Sequence, residues 1–314
     1  MNNVKAHTGF KDIDIYSMQY RYDPTRTLTL RNRFVRGMRR RFRELTTAIR
    51  RAVVDQDVFA LQIYQMEVPG RRQFDFPRSQ QKVEAFMRWL RQQVDRGIIE
   101  LGTGPQLGMG IEPAWTNVYV TDSYRRGLQR ARSEMMKAGY KIPSIGEQGG
   151  IEAVMDQPLH ADRVGVLYSR VFEELKGITS QMDSQITRIL SQGMIDGDNP
   201  RVLARKMVAV INGGGAELGI TDTLGRFIPA RRRAEIMART EIIRAHHQAM
   251  VQEYKNWRVE GVYVRAEWVT AGDDRVCTEC AGMEGNRYSL EEIQNMIPRH
   301  PQCRCIALPV EAVK

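Results

Sequence analysis

The first 276 residues of this 314-residue chain contain no cysteine; all four thiols fall between residues 277 and 305. A disulfide framework spread along the chain is thereby excluded. Nothing approaches the ~18 consecutive uncharged apolar residues of a membrane span, so no bilayer insertion is expected. The opening stretch MNNVKAHTGFKDIDIYSMQY has neither the apolar core nor the small-residue cleavage site of a secretory leader. The chain is therefore expected in the reducing cytosol, where structural disulfides are disfavoured. The glycine-rich LGTGPQLGMG at 101–110 lacks the lysine and hydroxyl residue of a phosphate-binding loop in their required order, and reads as a connection. Paired carboxylates and nucleophile–base arrangements are missing, and no internal repeat of fixed period is visible. These absences argue against an enzyme.

What remains suits a soluble globular protein: 42% hydrophobic against 27% charged residues, in a chain long enough to favour two units. The net charge of +10 is concentrated at the front, where residues 1–60 carry 13 Lys and Arg against 6 Asp and Glu. Such asymmetry suits a polyanion or an acidic partner. Residues 1–30 read as an arm with a turn at Asp23-Pro24. From Arg31, the residues Phe34, Met38, Phe42, Leu45, Ile49 and Val53 recur at steps of three and four, one stripe of a helix. Its back carries Arg36, Arg39, Arg40, Arg43 and Arg50, either as a solvated face or, through Arg36, Arg39, Arg40 and Arg43, as a nucleic-acid contact.

After a break at 66–77, a second helix is expected from about Ser79, with Val83, Phe86, Met87, Leu90, Val94 and Ile98 inward. A third covers roughly 115–138. A long one places Val164, Leu167, Val171, Leu175, Ile178, Met182, Ile186 and Ile189 on one face, with Gly177 as a bend. Asp198 or Asn199 before Pro200 is a cap and first turn. The turn-rich stretch 211–227 suits a hairpin. Helix returns from about Pro229 to Trp257, with Ile236, Thr240, Ile243, His247, Met250 and Tyr254 inward.

Beyond Trp257 the character changes: GVYVRAEWVT and CIALPV read as strands around the short helix SLEEIQNMI. The fold class is mainly α with a small α+β, zinc-stapled C-terminal domain. Its divisions are an arm (1–30), a basic helical region (31–150), a long-helix body (151–257) and a metal-binding knob (258–314). Cys277-Thr278-Glu279-Cys280 supplies one half of a tetrahedral site, and His300-Pro301-Gln302-Cys303-Arg304-Cys305 the other. Five donors compete for four places: Cys277, Cys280 and Cys303, completed by His300 or Cys305. Cys303 and Cys305, one residue apart, strain a shared chelate more than an x2 pair. The segment has too few residues for a core alone, and structural Zn²⁺ would supply folding energy. The zinc-deaminase pattern fails, because Val276 precedes Cys277 and no Glu follows His300 at the required spacing.

The order of Ala-Arg-Thr-Glu, Trp, Asp-x3-Cys-x2-Cys and His-Pro-x-Cys-Arg-Cys, with the block LKGITSQMDSQITRILSQGMIDGDNPRVLARKM before it, resembles the phage Mu F-like head morphogenesis, or minor head, proteins over about residues 160–310. The resemblance implies a non-enzymatic virion component made in the host cytoplasm. It would sit near the portal vertex and dock on the portal protein during procapsid assembly, with the major capsid or scaffolding protein and DNA as further contacts. A metal-dependent nuclease and a zinc-containing DNA-binding protein are the alternatives. The matching positions Arg239, Thr240, Glu241, Trp268 and Asp274, with Asp273 beside the last, are expected to support the metal domain. Arg239 and Glu241 would do so by ion pairing and capping, Thr240 and Trp268 by packing, and one of the two aspartates by bonding backbone N–H groups of the first metal turn. His246 and His247 diverge on their helix and are not expected to share a metal.

Overall fold

The computed structural model describes residues 23–60, 80–99, 114–213 and 228–311. The arm up to residue 22, the break at 66–77, the loop at 101–110 and the turn-rich stretch beyond Gly213 lie outside the described residues. Within them run α1 (Leu28–Arg50), α2 (Gln80–Val94), α3 (Asn117–Lys137), α4 (Ile151–Met155), α5 (Pro158–Ile195), α6 (Pro200–Asn212), α7 (Ala230–Val259), β1 (Val264–Val269), α8 (Thr278–Ala281), β2 (Arg287–Tyr288), α9 (Leu290–Ile293) and β3 (Ile306–Glu311). The protein is mainly helical with a small C-terminal sheet. No described helix is long and apolar enough to cross a membrane. Two compact units emerge, one drawn from Met1–Asn32, Val118–Leu167 and Arg239–Lys314, the other from Arg33–Asn117 and Tyr168–Ala238.

In the second unit the α1 stripe behaves as its spacing requires: Phe34, Met38, Phe42, Leu45, Ile49 and Val53 are all at most 4% exposed. Helices α1 and α2 each end in a π-helical turn, Arg51–Asp55 and Asp95–Ile99. The carbonyls that such an ending leaves over need donors. Arg41 donates to the Gly97 carbonyl at 2.7 Å and Trp115 Nε1 to that of Ile98 at 2.8 Å, while the Arg41 guanidinium lies 4.3 Å over the Trp115 ring. Helix α5 passes Gly177 without interruption. Asn199 caps α6, its Oδ1 accepting from Val202 N at 3.0 Å, and Pro200 occupies the first turn.

The first unit is organised around α7. The sequence suggests one inner face, but α7 is buried on nearly every side from Glu241 to Glu253. Two features allow this. Small residues permit close approach: a Cβ on Gly127 of α3 would lie 2.4 Å from the His246 carbonyl oxygen and 2.7 Å from Ala249 Cβ. Several buried polar groups of α7 also find partners. Glu253, 1% exposed, accepts from Arg132 of α3 and, at 2.5 Å, from Trp257 Nε1. His160 Nε2 lies 3.2 Å from the same carboxylate, and its Nδ1 meets the Tyr124 hydroxyl at 2.9 Å. Arg132 further donates to the Pro143 carbonyl at 2.8 Å and to Gln148 at 2.5 Å.

Two expected outcomes follow. Gly127→Ala should destabilise by at least about 2 kcal/mol through overpacking, although Ala in an open helix site gains up to ~1 kcal/mol over Gly. Gly177→Ala, where a Cβ meets nothing within 4 Å, is the control; thermal melts of the two variants should move in opposite directions.

The second outcome concerns acid. Burial, with Arg130 nearby, pushes His246 down to about 3, and burial pushes His247 down to about 4. His247 Nε2 donates to the Ile293 carbonyl at 2.9 Å, while its buried Nδ1 has no partner among the described residues, so a second proton would have no acceptor. Because the unfolded chain takes up these protons first, stability is full above pH ~6.5 and is lost as pH falls towards the folded values, by roughly 2 kcal/mol per histidine at pH 5. Urea midpoints of wild type and His247→Gln at pH 7 and pH 5 should show a smaller acid loss in the variant.

Candidate metal centre

Strand β1 is central in an antiparallel sheet of order β2-β1-β3, with Trp268 opposite Ala307 and Ala266 opposite Tyr288. Its buried face does not stand on its own. Trp268, Val269, Ile293, Ile297 and Ile306 share one apolar cluster with Met135 of α3 and with Ile243, Met250 and Tyr254 of α7, and Cys280, Cys303 and Cys305 belong to it. An ion at the C-terminal end would therefore add to a core that α3 and α7 help to build.

The loop after β1 turns at Gly272, which has φ +63°, and delivers Cys277 as the cap of α8. Cys277 Sγ accepts from Cys280 N at 3.4 Å, which fixes the two thiols side by side. Ser289 and Glu292 form a capping box on α9, and the chain then returns the second half-site just before β3. The five donors fall into two overlapping triads, Cys277–Cys280–His300 and Cys280–Cys303–Cys305, each with all ligand atoms within 4.8 Å of one another. The single-residue spacing of Cys303 and Cys305 does not separate their sulfurs.

The donor chemistry fits a thiophilic ion. All four cysteines are free, and thiolates at ~2.3 Å from a tetrahedral ion lie about 3.8 Å apart, so the triads require only small closures. Cys303 is pulled down to about 5, chiefly by a hydrogen bond from Cys305 with help from backbone N–H groups. Burial and the neighbouring Cys303 push Cys280 up to about 12, and the Cys303 contact with burial raises Cys305. One thiol of the trio thus ionises readily, and a cation would displace the protons of the other two. His300 Nδ1 lies 2.9 Å from the Pro301 carbonyl. A carbonyl only accepts, so Nδ1 carries a proton, which leaves the Nε2 lone pair facing Cys277 Sγ at 3.4 Å.

The expected supporting residues have specific partners. Arg239 donates to Gln302 Oε1 at 2.9 Å, and Thr240 Oγ1 accepts from Gln302 N at 3.0 Å, so α7 holds the middle of the second half-site. Gln302 has φ +64°, a conformation that side chains resist and that these two bonds help to hold. Glu241 is buried and accepts from Arg244 at 3.2 Å. Trp268 is fully buried, edge-on to Tyr288 at 6.5 Å. Asp273 accepts from Arg275 N at 3.2 Å and takes the Arg304 guanidinium in a bidentate pair at 2.7 and 2.5 Å. The Arg304 pair is the main reason that its carboxyl is held well below the usual range. Asp274 is exposed and makes no hydrogen bond with the described residues.

Sequence reasoning missed Arg304 and Gln302. Both lie inside the cysteine motif, and the Asp273–Arg304 clamp ties the loop before the first half-site to the second. Opposite charges flanking the two half-sites were the available signal.

On α1, Arg36, Arg39, Arg40 and Arg43 are all exposed, and Arg39 also donates twice to Glu235, at 2.9 and 3.0 Å. Burial would raise the Glu235 carboxyl, but Arg39 with Arg231 and Arg232 holds it below its ordinary value.

Residues 184–308 match the family model described as Phage Mu protein F like protein. The match takes in the end of α5, α6, α7, β1 and all five candidate ligands, and bears out the resemblance read from the sequence. The family points to phage head morphogenesis and, with it, to a structural role. No curated protein and no solved structure gives a significant match.

Proposed function

We propose that this chain is a non-enzymatic minor head protein of a tailed phage. In this reading it docks on the portal during procapsid assembly and stays in the virion near that vertex, with the major capsid or scaffolding protein as a further contact. Structural Zn²⁺ held by the Cys277–Cys305 cluster braces the docking end. The observation that carries the reading is that one family match, 184–308, contains both the thiol cluster and the α7 residues Arg239 and Thr240 that grip its second half-site. The ion's part here is structural: it cross-links α8 to the segment before β3, while Arg304, Asp273 and Gln302 set the geometry of the two half-sites.

A nuclease would need carboxylates free to bind and activate beside His300. Asp273 is instead occupied by Arg304 and Arg275. Contact with DNA is a separate matter. The exposed row Arg36, Arg40 and Arg43 faces away from the buried stripe of α1, and we assign it a sequence-independent, salt-sensitive contact with phosphates.

The test is co-expression with a portal protein of the same phage. Co-purification of the two, and density for this chain against the portal ring in particles imaged by cryo-EM, is the expected result. Particles that carry the chain elsewhere, or cleavage of DNA by the purified protein with Mg²⁺ or Mn²⁺, would end the proposal.

A further inference from the structure

Five donors surround a site that takes four, and they are not equivalent. Cys280, Cys303 and Cys305 are 1%, 1% and 4% exposed, whereas Cys277 and His300 reach solvent. The buried three are fixed by structure: Cys280 in α8, Cys303 by the bond from its N–H to the His300 carbonyl at 3.1 Å, and Cys305 by the start of β3, where Ile306 pairs with Val269. A buried thiolate that left the ion would lose its strongest compensation for desolvation. A donor that comes and goes must be wettable when it is off the ion. Only Cys277 and His300 meet that condition.

These two also stand together. The 3.4 Å between Cys277 Sγ and His300 Nε2 puts both donor atoms at one corner of the site, where either can supply the fourth bond. The chain holds both donors at that corner. Arg299, next to His300, donates to Glu279 at 2.5 Å, and so keeps the histidine over the Cys277–Cys280 turn. The Nδ1 contact with the Pro301 carbonyl aims Nε2 inward, as metal-bound histidines are aimed by their outer hydrogen bond.

We infer that Cys280, Cys303 and Cys305 form a permanent three-thiolate seat, and that the fourth position is shared by Cys277 and His300 in exchange. This inference rests on the metal reading above. Its consequence is a thiol that is intermittently free in the loaded protein. Cys277 is then the one cysteine of the folded, metal-bound chain open to electrophiles, and a place where the site can gain or lose a fourth bond without unfolding.

The experiment uses the full-length, Zn²⁺-loaded protein, iodoacetamide and mass spectrometry of each cysteine. In wild type, Cys277 should be alkylated while the other three are protected. In His300→Ala the ion should stay and Cys277 should react about tenfold more slowly, because it no longer leaves the ion. Cys277→Ala should likewise keep its ion. Protection of all four cysteines in wild type would mean a fixed four-thiolate site, and loss of the ion from His300→Ala a fixed histidine ligand; either overturns the inference.

Co²⁺ substitution supplies a second measurement. The thiolate charge-transfer intensity of wild type should lie between those of Cys277→Ala and His300→Ala, and equality with either sinks the exchange. If wild type binds neither Zn²⁺ nor Co²⁺, the metal reading itself fails, which is a distinct result.

Discussion

Replacing Cys280 by serine is expected to strip the ion from the chain and open the segment from about residue 270 to residue 305, while helices α1 to α7 remain folded. Cys280 belongs to both donor triads and is 1% exposed. It is the one donor that the two triads share, so without it neither is complete. Structural zinc contributes roughly 10–16 kcal/mol to isolated small domains. Here the apolar cluster with α3 and α7 carries part of the load, so the loss should be several kcal/mol and local. Limited proteolysis should show new cuts between β1 and β3 in the variant, and the same cuts in wild type treated with a strong chelator. An unchanged digestion pattern in both would refute a bracing role for the ion.

Arg132→Ala should cost about as much by an unrelated route. The Arg132 and Glu253 side chains are 5% and 1% exposed, and the guanidinium also lies 4.9 Å over the Trp257 ring. Removing one partner of a buried pair leaves the other charged and desolvated, at about 3–5 kcal/mol. Burial alone would raise the Glu253 carboxyl, but its hydrogen bond with His160 and the charge of Arg132 bring it below its ordinary value. That contribution is therefore present above pH ~4.5 and fades as pH falls through the lower folded value. The double variant Arg132→Met with Glu253→Leu should recover much of the loss, since it leaves no charge unpaired. Denaturation midpoints of the single and double variants check this, and equal losses in both would place the cost in packing.

How much of this was legible depends on where the partners lie. The α1 stripe and the Asn199–Pro200 start of α6 are set by neighbours within a few residues, and the structure shows both. The thiol cluster was legible for the same reason, as two local half-sites joined by a short helix. Helix α7 was not. His246, Gln248 and Glu253 look like an outer face; Glu253 becomes core because Arg132 and His160 arrive from more than 90 positions away, and His246 because Gly127 of α3 packs on its backbone. Arg304 is a similar case: its neighbours Cys303 and Cys305 drew attention to the motif, but its partner Asp273 is a distant carboxylate. The expectation that the C-terminal segment needs an ion in place of a core was a reading of that segment alone, and Met135, Met250 and Tyr254 supply apolar surface it could not show.

The most direct test is elemental analysis of the full-length protein purified under reducing conditions and dialysed free of loose metal. The account predicts about one equivalent of zinc per chain, retained in Arg36→Glu and lost in Cys280→Ser. Wild-type protein that is folded, fully reduced and free of any stoichiometric transition metal would contradict it.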